Sequence, residues 1–108
     1  MSPIFRSRRA SNPLNPAQAM ARALERLSEH GFIEVARNTR GDSVYLKPEG
    51  CDLALRVSNH ARTPKQRRNH PDAVTSLVLR EPKSAAQLDD LVAAALRNFS
   101  AERARRET

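Results

Sequence analysis

Alternating apolar and polar residues mark one stretch of the chain as a β-hairpin. Its arms cover residues 43–47 and 53–60, and residues 48–52 between them contain Pro48 and Gly50, which are typical of a turn. Because side chains alternate between the two faces of a sheet, Val44 and Leu46 share a face with Leu53, Leu55 and Val57. The polar residues of the arms occupy the opposite face: Ser43, Tyr45, Lys47, Arg56, Ser58 and His60.

Helical periodicity predicts one helix on each side of the strands. The first begins at Asn15, with Pro16 at its first position and Gln18 placed to complete a capping box, and ends at Gly31. The second begins with a similar pattern at Ser84 and Gln87. The apolar stripes are Met20, Ala23, Leu24 and Leu27 in the first helix and Leu88, Leu91, Val92, Ala95, Leu96 and Phe99 in the second.

The remaining segments complete an α+β fold. Residues 32–37 and 73–80 are predicted strands, and residues 61–72, with Pro64 and Pro71, are a predicted exposed loop. Two helices with one apolar stripe each are buried most simply on one face of a three- or four-stranded antiparallel sheet, in the order α-β-β-β-β-α. The polar face is then open to water or to a partner. We expect a flexible basic arm over residues 1–14, one domain over 15–99 and a charged C-terminal tail over 100–108.

Length and composition limit the class of protein. A chain of 108 residues forms one domain with a modest core. It contains neither a run of about 20 apolar residues nor the apolar core of a signal peptide. We therefore expect a cytoplasmic protein from a bacterium or a mobile element. Cys51 is the one cysteine, which excludes an internal disulfide and a zinc site built from several cysteines, and we predict no metal or cofactor.

Charge favours an anionic partner. The net charge is +7, and no acid occurs from Leu53 to Pro71, where five cations fall. The predicted binding surface joins these cations to the polar face of the hairpin. It comprises Ser43, Tyr45, Lys47, Arg56, Ser58, His60, Arg62, Lys65, Arg67 and Arg68.

Each part of this surface has a chemical reason and a simpler alternative. Arg56 offers a planar fork for phosphate or carboxylate, and Tyr45 can stack on a base. The alternative is an ordinary solvated sheet face followed by a solvated loop. Catalysis by His60 is not favoured, because the sequence places no second residue in a defined catalytic arrangement with it. A metal pair of His60 and His70 is favoured still less.

Four segments resemble the HicA toxin family: residues 23–27 (ALERL), 30–32 (HGF), 41–43 (GDS) and 56–60 (RVSNH). The resemblance covers about residues 19–60. It implies a sheet like that of double-stranded-RNA-binding domains, with two helices on one face, and ribonuclease activity. The family's catalytic histidine follows a Gly-Ser pair directly, whereas here Asp42 separates Gly41 from Ser43 and Val44 follows. The resemblance therefore implies the architecture without the nuclease activity. The two arms of the hairpin also resemble small phage and plasmid proteins.

These observations leave three hypotheses for function. The first is a non-enzymatic module that binds DNA or RNA through Arg56, Tyr45, His60 and the basic loop. The second is a phage-type inhibitor, of the anti-CRISPR kind, that binds a host defence complex at a site for an anionic ligand. The third is a HicA-like ribonuclease that uses His60. The absent histidine favours the first hypothesis over the third, and the oligomeric state stays open.

Overall fold

A computed structural model describes residues 13–107 of the chain. The predicted order of helix, four strands and helix is present, with one additional short helix between the third and fourth strands. In chain order, the elements are α1 (Pro16–Glu29), β1 (Phe32–Arg37), β2 (Ser43–Pro48), β3 (Ala54–Ser58), α2 (Pro64–Asn69), β4 (Ala73–Val78) and α3 (Ala85–Glu107). The α+β class is confirmed. No helix in the described residues is long and apolar enough to cross a membrane.

The four strands form one sheet in the order β1-β2-β3-β4. The predicted hairpin register is confirmed: Val44 pairs with Val57, and Tyr45 with Arg56. The prediction of a wholly antiparallel sheet is wrong, because β4 runs parallel to β3. Residues 59–72 connect these strands, and this segment is long enough for the crossover that a parallel pair requires.

The apolar face of the sheet is covered by α1 and α3, as the two stripes predicted. Met20 and Leu27 of α1 and Val92 of α3 are buried against strand residues such as Leu55, which is fully inaccessible. The rings of Phe32 and Phe99 meet edge to face, with centroids 5.1 Å apart. This face holds the main hydrophobic core, and its burial is the chief source of stability.

The polar face is covered as well, so the prediction of an open face is wrong. The predicted loop over residues 61–72 contains α2, which begins with a capping box: the Thr63 side chain accepts from Gln66 N, and the Gln66 side chain accepts from Thr63 N. Gln66 also contacts Arg56 and Ser43 of the sheet. The sheet therefore lies between two long helices on one side and α2 on the other.

The helix boundaries follow the capping signals. The boxes of Asn15 with Gln18 and of Ser84 with Gln87 are both formed. Helix α1 ends at Glu29, and Gly31 then adopts the left-handed region at φ +85°, where glycine is favoured.

The two predicted terminal segments have different outcomes. Residues 100–107, predicted to be a charged tail, form the last turns of α3, where acid–base pairs such as Arg103–Glu107 are spaced to support a helix. Residues 1–12 of the predicted arm lie outside the described residues. Leu14 forms an isolated antiparallel β-bridge with Lys83.

Candidate functional site

Arg56 is the centre of the polar face. It lies on β3, is fully inaccessible, and donates hydrogen bonds from both terminal nitrogens of its guanidinium group. Nη1 reaches the Ser76 hydroxyl at 2.8 Å, while Nη2 reaches Gln66 Oε1 and the His60 carbonyl, both at 3.1 Å, and Ser43 Oγ at 3.5 Å. These partners come from β2, β4, α2 and the segment after β3. We call this set, with Ser58, the Arg56 network.

The buried guanidinium group has only uncharged hydrogen-bond partners. Within residues 13–107, no salt bridge involves Arg56 and its Nε has no acceptor. Burial lowers the pKa of Arg56, while Tyr45 and the more distant Asp42 carboxylate partly offset this effect. The Tyr45 hydroxyl is buried and has no hydrogen-bond partner among the described residues. Because an arginine stays charged inside a protein, a positive charge lies beneath the surface of α2.

The hydrogen bond with Gln66 determines which ring nitrogen of His60 accepts and which one donates. A guanidinium group only donates, so the Gln66 oxygen must face Arg56 and its amide nitrogen must face Ser43 Oγ at 3.1 Å and His60 Nε2 at 3.3 Å. His60 Nε2 therefore accepts, and its Nδ1–H donates toward Asn59 Oδ1 at 3.0 Å. Both ring nitrogens are therefore already engaged, Nε2 by Gln66 and Nδ1 by Asn59 and Ser58, so neither is presented as a free base.

The hydroxyl groups of Ser43 and Ser58 complete the Arg56 network. Ser58 Oγ donates to the Asp42 carbonyl at 2.8 Å, which commits its one proton and leaves it to accept from Ser43 at 3.0 Å. Both serines are fully buried. Asn38 donates to the Asp42 carboxylate and thereby lowers its pKa. This end of the sheet is thus tied to the β1–β2 turn.

A polar cleft of about 500 Å³ lies above the Arg56 network, between the β1–β2 turn and α2. The side chains that line it are basic, amide, hydroxyl or aromatic, and no acid lines it within the described part of the chain. They are Arg37, Asn38, Thr39, Arg40, Tyr45, His60, Thr63, Lys65, Gln66, Asn69 and His70. We call this the polar cleft.

The cations of the polar cleft differ in how firmly they are paired. Arg37 forms a two-pronged ion pair with Glu34, and Arg40 lies 3.5 Å from Asp42. Lys65, which is exposed, makes no ion pair with any described residue. No three His, Cys, Asp or Glu side chains in residues 13–107 are grouped as metal ligands would be. The cleft is therefore suited to an anion.

The structure divides the predicted binding surface into two groups. Ser43, Tyr45, Arg56 and Ser58 are buried beneath α2 and cannot touch a macromolecule directly. Of the others, Lys65, Arg67 and Arg68 are exposed on α2 and His60 lines the polar cleft, whereas Arg62 donates to the His70 carbonyl at 2.7 Å and Lys47 pairs with Asp72 at 2.8 Å. The accessible part is thus α2 with the mouth of the cleft.

The predicted binding surface does not include three kinds of residue that line the polar cleft: the cations Arg37 and Arg40, the amides Asn38 and Gln66, and the ring of His70. A signal for α2 was present, since Thr63, Pro64 and Gln66 repeat the pattern of Asn15, Pro16 and Gln18 that correctly located α1. With α2 in place, the pairing of Ser43 with Ser58 puts the β1–β2 turn and the start of α2 at the same end of the sheet.

Comparisons with protein-family models, with curated proteins and with solved structures found no match to this chain. The resemblance to HicA toxins and to small mobile-element proteins stays a prediction.

Proposed function

We propose that this protein is a non-enzymatic module that binds the phosphate backbone of nucleic acid at the polar cleft and along α2. The observation that carries the proposal is a buried Arg56, without an ion pair to any described residue, beneath a cleft with a basic lining and, among the described residues, no acid. A charge in a low-dielectric interior is weakly screened, so it adds to the attraction that Lys65 and its neighbours exert on an anion.

The surface chemistry supports phosphate contacts in particular. Lys65, Arg67 and Arg68 project from one short helix, and within residues 13–107 none of them has an ion-pair partner to displace. Binding of phosphates by free cations releases the counterions of the nucleic acid, which gives favourable but salt-sensitive affinity. His60, with both ring nitrogens engaged, does not support the ribonuclease alternative.

A salt titration with matched charge reversals tests this proposal. Binding of labelled oligonucleotides of about 20 nucleotides is measured between about 50 and 200 mM salt. We expect a steep loss of affinity with salt in the unmodified protein. Lys65→Glu weakens binding by about tenfold and lowers the slope of log affinity against log salt by about 1.

The control is Arg97→Glu, which reverses an exposed cation on α3, on the opposite side of the sheet, that forms no ion pair with any described residue. It should change affinity by less than about twofold, because long-range effects of one exposed charge are screened. Affinity that does not depend on salt, or equal effects of the two reversals, would contradict the proposal.

The edge strand β1 favours a second candidate, the inhibitor that binds a host defence complex. Ile33 and Val35 are 54% and 53% exposed, and they are the large apolar side chains that the described chain leaves in water. They lie on an edge strand, which can pair with a strand of a partner. If this candidate is correct, we expect no affinity for nucleic acid at low salt. We also expect a stoichiometric complex with a protein, and Ile33→Glu should weaken that complex.

A further inference from the structure

We infer that the polar cleft takes one nucleotide of a single-stranded nucleic acid, with its base stacked on His70 and its phosphate at Lys65. This inference rests on the proposed function and adds the strandedness of the ligand and the residue that selects it. An aromatic pair lies at the base of the cleft.

The rings of Tyr45 and His70 are stacked, with centroids 3.8 Å apart and planes inclined by 17°. Tyr45 is 2% exposed, so His70 and the surrounding sheet residues cover the phenol. His70 is half-buried and lines the polar cleft. Tyr45 occupies one face of the imidazole, and the part of the ring that is exposed in the cleft is available to a planar ligand.

The backbone around His70 holds this ring in place before any ligand arrives. His70 caps the C-terminus of α2, its N–H donates to the Gln66 carbonyl at 2.9 Å, and its own carbonyl accepts from Arg62 Nη2 at 2.7 Å and from the Ala73 N–H at 3.2 Å. A platform that is already ordered loses little entropy on binding. Stacking on such a ring tolerates any base, because every base has a π-face.

The size and lining of the cleft fit one nucleotide. Sites of roughly 300–1,000 Å³ hold small organic ligands, and the polar cleft has a volume of about 500 Å³. Asn69 lies in its wall and offers an amide group to the edge of a base, while Lys65 offers a cation to the phosphate. A duplex keeps the faces of its bases stacked inside, so only an unpaired base can reach His70.

An experiment with three probes of equal length separates this inference from the proposed function. The probes are a single strand, the corresponding duplex, and a single strand in which abasic sites keep every phosphate but remove every base. At about 50 mM salt, we expect the unmodified protein to bind the single strand about tenfold more tightly than the abasic strand or the duplex.

Variants then assign the effect to one ring. His70→Ala should weaken binding of the single strand by about tenfold and leave the abasic strand unchanged, while His70→Phe, which keeps a flat ring, should retain the preference. His30→Ala is the matched control, since His30 is exposed at the end of α1, away from the cleft.

The possible results have distinct meanings. Equal, salt-sensitive affinity for all three probes overturns the inference and leaves the proposed function intact. Absence of binding by every probe at low salt overturns both. A preference for the single strand over the abasic strand that survives in His70→Ala overturns the assignment to His70. Because the abasic comparison uses the unmodified protein, the inference is tested even if His70→Ala fails to fold.

Discussion

The two faces of the sheet are both covered, but the interactions that cover them differ. Leu55 and Arg56 are neighbours on β3, are equally inaccessible and point to opposite faces. Leu55 is packed among apolar side chains beneath α1 and α3. Arg56 is buried by α2, a helix of six residues none of which is itself buried, through hydrogen bonds to polar groups. The first face is stabilised by burial of apolar surface, and the second depends on satisfied polar contacts.

This difference bears on function because a polar cover is easier to open. Burial of apolar surface is non-directional and contributes wherever side chains pack, whereas each hydrogen bond adds only about 1 kcal/mol net. Elements with few buried apolar contacts belong to the less stable part of a protein, from which binding segments are commonly drawn. The exposed cations Lys65, Arg67 and Arg68 all lie on the element held in this second way.

The largest expected effect comes from the apolar face. Leu55→Ala removes a fully buried side chain from the core and should lower the free energy of unfolding by about 3 kcal/mol, measured by urea denaturation. The control is Ile33→Ala on the edge strand, where an exposed apolar side chain is shortened and the change should stay within about 0.5 kcal/mol. A loss below about 1 kcal/mol for Leu55→Ala would show that this face is not closely packed.

The next effect tests what holds the polar face. Arg56→Met keeps much of the buried volume but removes every donor of the guanidinium group, so the His60 carbonyl loses that partner. Gln66 Oε1 keeps only the Thr63 N–H, and the exposed Ser76 hydroxyl can turn to water. Unmet acceptors cost about 1–3 kcal/mol, while loss of a desolvated charge returns part of that amount, so the net destabilisation should be about 1–2 kcal/mol.

Urea denaturation of Arg56→Met beside Arg97→Met, an exposed control, measures this effect. A variant as stable as the unmodified protein would contradict the view that the Arg56 network holds the polar face. It would also indicate that the arginine is retained for ligand binding, and the salt titration of the same variant would then decide that point.

Much of the fold could be predicted because its signals are periodic. Alternation in residues 43–47 and 53–60 specified the hairpin register, since a slip of one residue would exchange the two faces. Stripes at helical spacing and two capping boxes located α1 and the start of α3. These patterns repeat over many residues, so a single exception does not hide them.

What could not be predicted lies mostly between β3 and β4. Helix α2 has no apolar stripe, because it covers the sheet mainly through the hydrogen bonds of Gln66 and the ring of His70 at its C-cap. Hydrophobic periodicity therefore predicts a loop around Pro64. Without that helix, the pattern predicts that Arg56 faces water and that β4 is antiparallel. The capping pattern at Thr63 and the length of the connection carried the missing information, and neither depends on hydrophobicity.

The smallest expected effect is a dependence of stability on pH that we expect from the polar face and not from the apolar face. Lys47 projects from the polar side of β2 and pairs with Asp72 at 2.8 Å. Burial alone would raise the pKa of Asp72, but the hydrogen bond and charge of Lys47 outweigh it and lower the pKa. A carboxyl whose pKa is lower in the folded state contributes stability above its unfolded value, about 3.9, and loses that contribution as pH falls through the folded value.

Asp72→Asn should therefore destabilise the protein by about 0.5 kcal/mol at neutral pH, and the difference from the unmodified protein should shrink as the pH falls below the unfolded value of about 3.9. Thermal denaturation from about pH 2 to pH 7 measures it, with Asp90→Asn on an exposed position of α3 as the control. The cost of Leu55→Ala should not change over this range, because the described side chains of the core around it are apolar. If the Asp72→Asn difference persisted at pH 2, the loss would come from packing and not from the ion pair with Lys47.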